Sequence, residues 1–174
     1  ASRGRISEIS ERLVRLDQDF SRIIRDDVRS IRVAPGQLGG LPGDYVAAHP
    51  VDDDGLVTIT TDYPDSIPFR MFATDADARR SLQREFLRRG WPQNDVLLGE
   101  LLELRNEQAT LLGYASWPDF DAEVKMVRTG DAIGEFIDRV AAAADGPGRR
   151  DRERLLARLR EDRPGATTID AAVR

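Results

Sequence analysis

The sequence predicts a mainly α-helical protein, and three observations carry that prediction. Apolar residues recur at steps of three and four over residues 6–31, with no Gly or Pro in 6–32. From residue 74 onward, capping residues and glycines divide a second long helical pattern into segments. Only 56–61, Leu-Val-Thr-Ile-Thr-Thr, alternates and is β-branched in the manner of a strand. The predicted architecture is a multi-helix array with a long N-terminal helix and at most one short strand or hairpin near residues 56–61.

The first helix rests on Ile6, Ile9, Leu13, Leu16, Phe20, Ile24, Val28 and Ile31, one stripe on a helical surface. Glu8 with Arg12 and Glu11 with Arg15 add acid-before-base pairs four residues apart. Residues 1–33 are therefore expected as one long helix, its stripe covered by a partner surface. Residues 34–72 read as loop-rich, broken by Pro35, Gly36, Gly39, Gly40, Pro42, Gly43 and Pro50. A short helical turn fits at 44–48, and Pro64 and Pro68 stop the strand. A single strand must pair, so a marginal hairpin or an outside partner is expected.

Residues 73–163 read as a helical bundle segment. Thr74 or Asp75 caps a helix to Arg89, with Gly90 as its stop; Asn94 or Asp95 caps the next, which ends at Gly113. Its apolar face carries Leu97, Leu98, Leu101, Leu102, Leu104, Leu111 and Leu112. Ser116-Trp117-Pro118-Asp119 starts a helix expected to reach about Val127, and Thr129 caps another ending near Asp145. Gly146-Pro147-Gly148 reads as a firm break before a last helix, 149–161, and 164–174 as a tail.

Composition excludes several chemistries. The 174 residues include no cysteine and one histidine, which removes disulfides, thiolate metal sites, cysteine nucleophiles and any two-histidine metal site within one chain. No run of 18 apolar residues exists, so no membrane partner is expected. A net charge of −5 argues against nucleic acid as a partner. The N-terminus lacks the apolar core of a secretory signal, and a first residue other than Met suggests a processed or cut chain. Absence of cysteine is compatible with the cytoplasmic location expected here.

The motifs that could carry chemistry read more simply as structure. Asp52-Asp53-Asp54-Gly55 fails the EF-hand spacing, since Gly55 at the sixth position would place Pro50 first and Thr61 twelfth; it reads as an acidic turn. The glycine-rich 36–43 has no preceding strand and no Lys-Ser/Thr after it, so it is no phosphate cradle. His49, in a loop, lacks a nucleophile elbow to serve. The arginines of 149–163 are interleaved with acids and read as a solvated helix face. Trp91, Trp117, Tyr63, Tyr114, Phe69 and Phe120, all near turns and helix starts, read as packing posts.

The stretch Leu102-Glu103-Leu104-Arg105-Asn106-Glu107-Gln108-Ala109-Thr110-Leu111-Leu112-Gly113-Tyr114 and the following Ala115-Ser116-Trp117-Pro118-Asp119-Phe120 resemble the thimet-oligopeptidase-like zinc metallopeptidases. The Lys125-Met126 pair and the helix at 133–140 fit that likeness. Upstream, Leu41-Pro42, the run 60–65, Ile67-Pro68-Phe69, Asp77-Ala78-Arg79-Arg80 and Arg89-Gly90 fall in the family's order. Physics accounts for part of the pattern: Gly113 supplies a left-handed helix end, and Tyr114 follows where a side chain folds back on the last turn. Arg105 and Glu107 are candidates for charge pairs between helices.

The resemblance implies a helical half that forms one wall of a channel admitting short peptides. It also implies zinc in the intact family member, held by His-Glu-x-x-His with the Glu activating the bound water. This chain departs from the pattern, because His49 stands alone and Pro50 follows it. No catalytic residue, cofactor-binding residue or metal ligand is assigned. The expectation is one helical domain that is part of a larger peptidase and inactive alone. Its partners would be the missing catalytic half of the same polypeptide and, in the intact enzyme, short peptide substrates, with self-association through exposed apolar surface. The alternative is a stand-alone interaction or dimerisation module using the first helix and the leucine-rich 97–112.

Overall fold

A computed structural model describes residues 2–169, and among them 68% helix in seven helices accompanies one two-stranded antiparallel sheet. In chain order these are α1 (Ser2–Asp26), β1 (Ser30–Val33), a 3-10 turn (Pro35–Leu38), α2 (Gly43–Ala48), β2 (Val57–Thr60), α3 (Tyr63–Phe72), α4 (Ala76–Leu87), α5 (Gln93–Leu111), α6 (Trp117–Ala122) and α7 (Gly130–Asp162). The mainly helical class, the long first helix and the small sheet agree with the sequence prediction. The chain divides into two compact units, Ser21–Asn94 and residues 2–20 with 95–169.

In the first of these units, the strand at 57–60 has found its partner inside the expected first helix. α1 stops at Asp26, and Ile31 pairs with Ile59 and Val33 with Val57. Ile31 and Val33 are β-branched and alternate with exposed Ser30 and Arg32, a period-two pattern that Val28 and Ile31 only mimicked as helical. Pro35 also holds Ala34 extended, at φ −71° and ψ 150°. The Asp27 carboxylate fixes the reversal between α1 and β1 by accepting from the Arg29 guanidinium and from the Gly90 backbone N–H at 2.8 Å.

The expected loop at 34–72 also contains α3. Pro64 lies in the first turn, where its missing N–H is an orphan position anyway, and Pro68 is carried inside the helix. Val33, Leu38, Tyr45, Val57, Ile59, Phe69, Ala73, Ala78 and Leu82 form this unit's core. Arg79 is 3% exposed and donates to the Ala73 carbonyl, so one arginine of the Arg-rich helix is an interior strut. α4 is capped by Asp75, whose carboxylate accepts from Ala78 N at 2.8 Å, and ends at Leu87, two residues before the expected Arg89.

In the other unit, α1 and α5 run antiparallel. Arg5 grips Glu107 through two bonds of 2.7 Å, Arg12 grips Glu100 through two of 2.6 Å, and Gln108 donates to Ser10 Oγ at 2.9 Å. Ile9 and Leu16, two turns apart, are fully buried. α6 is shorter than expected, ending at Ala122, because Gly130 N is tied back to Asp119 and the chain must turn through Arg128 at φ 65°.

The expected break at Gly146-Pro147-Gly148 is absent, and α7 runs unbroken for 33 residues. Pro147 removes the donor that would reach the Ala143 carbonyl, but this segment of α7 is exposed, so water can satisfy that carbonyl. Of the expected tail, 164–169 fold back, with Ala166 O accepting from Arg160 Nε at 2.9 Å; 170–174 lie outside the described residues.

Candidate functional site

The histidine found in a loop by sequence is the C-cap of α2, and a group of polar side chains converges on it. Its ring stacks on Tyr45, one turn earlier, with centroids 4.2 Å apart. Nδ1 lies 2.8 Å from the Tyr45 carbonyl oxygen, and Nε2 lies 3.3 Å from Asp65 Oδ1 in the first turn of α3. Both ring nitrogens thus face acceptor oxygens. Asp65 is positioned by β2, since its Oδ2 accepts from Thr60 Oγ1 at 2.5 Å and from Thr60 N at 3.3 Å. The Tyr45 hydroxyl donates to the Asp65 carbonyl at 2.9 Å, and burial first, then the Asp65 charge, pushes it above the ordinary phenol range.

These groups border an open cleft of about 400 Å³ whose other walls are Pro42, Asp44, Ala48, Pro64, Pro68 and Phe72. It combines an apolar floor with a His–Asp pair, which suits binding. The tyrosine hydroxyl is committed to a carbonyl, and the lining includes no serine, threonine, cysteine or lysine. The zinc implied by the resemblance does not fit the residues present. Among the described residues no group of three or more His, Cys, Asp or Glu could hold a metal ion, and both nitrogens of His49 are engaged.

A second constellation joins α5, α6 and α7. Gly113, at φ 90°, ends α5 in a Schellman motif: Tyr114 N donates to Ala109 O and Gly113 N to Thr110 O, each at 3.0 Å. Tyr114 then packs edge-on against Phe120, which packs edge-on against Trp117, both at 5.2 Å. The Tyr114 hydroxyl donates to Glu123 at 2.5 Å, and this bond raises it above the ordinary phenol range. Ser116 caps α6, while Asp119 serves two ends: Oδ2 accepts from Ser116 Oγ at 2.7 Å and Oδ1 from Gly130 N at 2.9 Å. Those two bonds, the first the larger, hold its carboxyl below the usual range. A side chain at Gly130 would meet Asp119 Oδ1 at 3.0 Å and Pro118 Cβ at 3.1 Å.

Glu107 makes the interhelix pair expected of it, with Arg5, whereas Arg105 lies over the Trp117 ring at 5.2 Å. The acidic run forms the expected turn, with Asp52 Oδ1 accepting from the backbone of Asp54 and Leu56. The glycine-rich segment is a packing turn: Gly39 O accepts from Thr74 N at 2.8 Å, and Gly40 lies against the Phe72 carbonyl. The link between His49 and Asp65 was not legible in the sequence, because nothing local signals a partner 16 residues away.

No protein-family model matches the chain. Individual relatives do. It is 29% identical over 140 residues to the thimet-like oligopeptidase of Dictyostelium discoideum, covering 79% of this chain and 21% of that protein. It is 26% identical over 145 residues to saccharolysin of Saccharomyces cerevisiae, covering 79% and 20%, and 25% identical over 171 residues to oligopeptidase A of Escherichia coli, covering 90% and 25%. The chain therefore spans about a fifth to a quarter of the length of these curated relatives. Along most of its own length, it is similar to part of an oligopeptidase.

Proposed function

We propose that this chain is a helical, non-catalytic piece of a thimet-type zinc metalloendopeptidase that acts on short peptides. The observation that carries this is the continuous likeness to oligopeptidases over 79–90% of the chain and only 20–25% of theirs. The Schellman end at Gly113 and the joint that follows give a physical reason for the sequence pattern that drew the resemblance. In this reading the piece supplies channel wall and packing. Zinc, its ligands and the general base reside in the catalytic half of the same polypeptide, and this chain is inactive alone. The reading includes a cytoplasmic location. No helix among the described residues is long and apolar enough to cross a membrane.

The intact mass of the source protein tests the proposal. A mass several-fold above 19.4 kDa is expected, and one near 19.4 kDa would sink the larger-peptidase reading. Incubation of the purified chain with zinc and a fluorogenic short peptide should give no hydrolysis; turnover would overturn the assignment of the chemistry to another segment. The interaction-module alternative, which uses the first helix and the leucine-rich 97–112, is favoured by one observation: Leu98, Leu102, Leu111 and Leu112 are all exposed.

A further inference from the structure

We propose that the cleft beside His49 holds a guanidinium on an aliphatic stem, the side chain of an arginine. This does not rest on the peptidase reading, because every residue lining the cleft falls within 42–72 of one compact unit. Its volume of about 400 Å³ suits a small ligand or a single side chain rather than a helix.

Charge identifies the ligand. Asp44, in the first turn of α2, and Asp65, in the first turn of α3, both line the cleft, and its lining includes no arginine or lysine. Asp44 Oδ1 accepts from the Tyr45 backbone N–H at 2.9 Å. Asp65 makes its ion-pair contact with the His49 ring. Elsewhere in the same unit, by contrast, Asp27 is paired with Arg29 and Asp52 with Arg32. Two carboxylates without an arginine or lysine, bordering one apolar cleft, attract a cation. Thr60 Oγ1 and N already hold one oxygen of Asp65, so a ligand has little ordering left to impose there.

The walls select a guanidinium over an ammonium. Pro42, Pro64, Pro68 and Phe72 present apolar surface, and Phe72 is 38% exposed. A three-carbon stem lies along such a surface while its charged head reaches a carboxylate. The planar, weakly hydrated guanidinium also stacks on an aromatic face, whereas a compact ammonium is strongly hydrated and loses more on entering. The same unit already uses that contact internally, with the Arg70 and Arg89 guanidinium carbons 4.5 Å and 4.0 Å from the Phe86 ring centre.

Titration of Nα-acetyl-arginine amide into the isotope-labelled 174-residue chain, followed by amide chemical shifts, tests this. Saturable shifts centred on Asp44, His49, Asp65 and Phe72 are expected, with a Kd of about 1 mM. The uncharged citrulline analogue, of the same shape, should bind about fivefold or more weakly. Asp44→Lys, at an exposed position, should keep the circular dichroism and weaken binding about tenfold or more; Asp44→Asn, which can still accept from Tyr45 N, should weaken it about threefold. Free arginine binding as tightly as the amide would assign the site to the free amino acid, and tighter binding of the amide would assign it to an arginine within a peptide. No saturation by about 20 mM would overturn the proposal. So would equal affinity for the citrulline analogue, shifts centred outside the cleft, or an unchanged Kd in Asp44→Lys.

Discussion

The Asp27 carboxylate accepts a hydrogen bond at 2.8 Å from the backbone of Gly90, joining the end of α1 to the turn after α4. Arg29 holds its carboxyl below the ordinary value of 3.8; burial opposes this, and the Gly90 amide reinforces it. The native carboxylate therefore binds its proton less readily than the unfolded one. Its contribution is present above the unfolded value and disappears as pH falls through the native one. Asp27→Asn should lower Tm at pH 7, and the gap to wild type should stay constant down to about pH 5 and shrink below about pH 4. A gap that widens in acid would contradict the assignment.

Two glycines with positive φ should respond differently to alanine. At Gly113, φ 90°, a Cβ meets nothing within 4 Å, so only the left-handed conformation is penalised, by about 1–2 kcal/mol. At Gly40, φ 86°, a Cβ would lie 2.4 Å from the Phe72 carbonyl oxygen. Gly40→Ala should cost about 3 kcal/mol or more, since backbone must move as well. Urea denaturation of the two variants measures the difference.

Two hydroxyls near the candidate cleft make a similar contrast. Tyr45 donates to Asp65 O, so Tyr45→Phe should lose about 1 kcal/mol while keeping the stacked ring. Ser66 Oγ is buried without a hydrogen-bond partner. Ser66→Ala should therefore be neutral or stabilising by about 1 kcal/mol. Equal losses in chemical denaturation would show that Ser66 is satisfied after all.

Pro147 tests the continuity of α7. Replacing it with alanine restores a donor toward Ala143 O and removes a ring from a helix interior, a local gain of about 3 kcal/mol. Amide exchange over 143–151 should slow by up to about 100-fold. Unchanged exchange would mean that the chain is broken at 146–148, as its sequence suggests.

Local chemistry was the legible part of this molecule. Asp75, Gly113, Ser116 and Thr129 could be read because a cap is decided within a few residues, and each occupies the expected helix end. β1 could not, because Ile31 and Val33 become a strand only through Ile59 and Val57, and their spacing also continues a helical stripe. α3 and the middle of α7 were hidden by prolines that mark breaks on average, yet Pro64 falls in a first turn, and Pro68 and Pro147 are carried inside their helices. At the candidate site, the sequence showed His49 but not its stacking partner or Asp65, since α2 and β2 must form before those groups meet.

The double engagement of Asp119 has a mechanical consequence. One carboxylate both closes the start of α6 and anchors the first residue of a rod about 50 Å long at 1.5 Å per residue. Such a rod is a lever with a short fulcrum. A tilt of about 5° at Gly130 sweeps its far end by about 4 Å, roughly the width of a side chain. Protonating or replacing that single carboxylate would therefore be felt most at the opposite end of the helix.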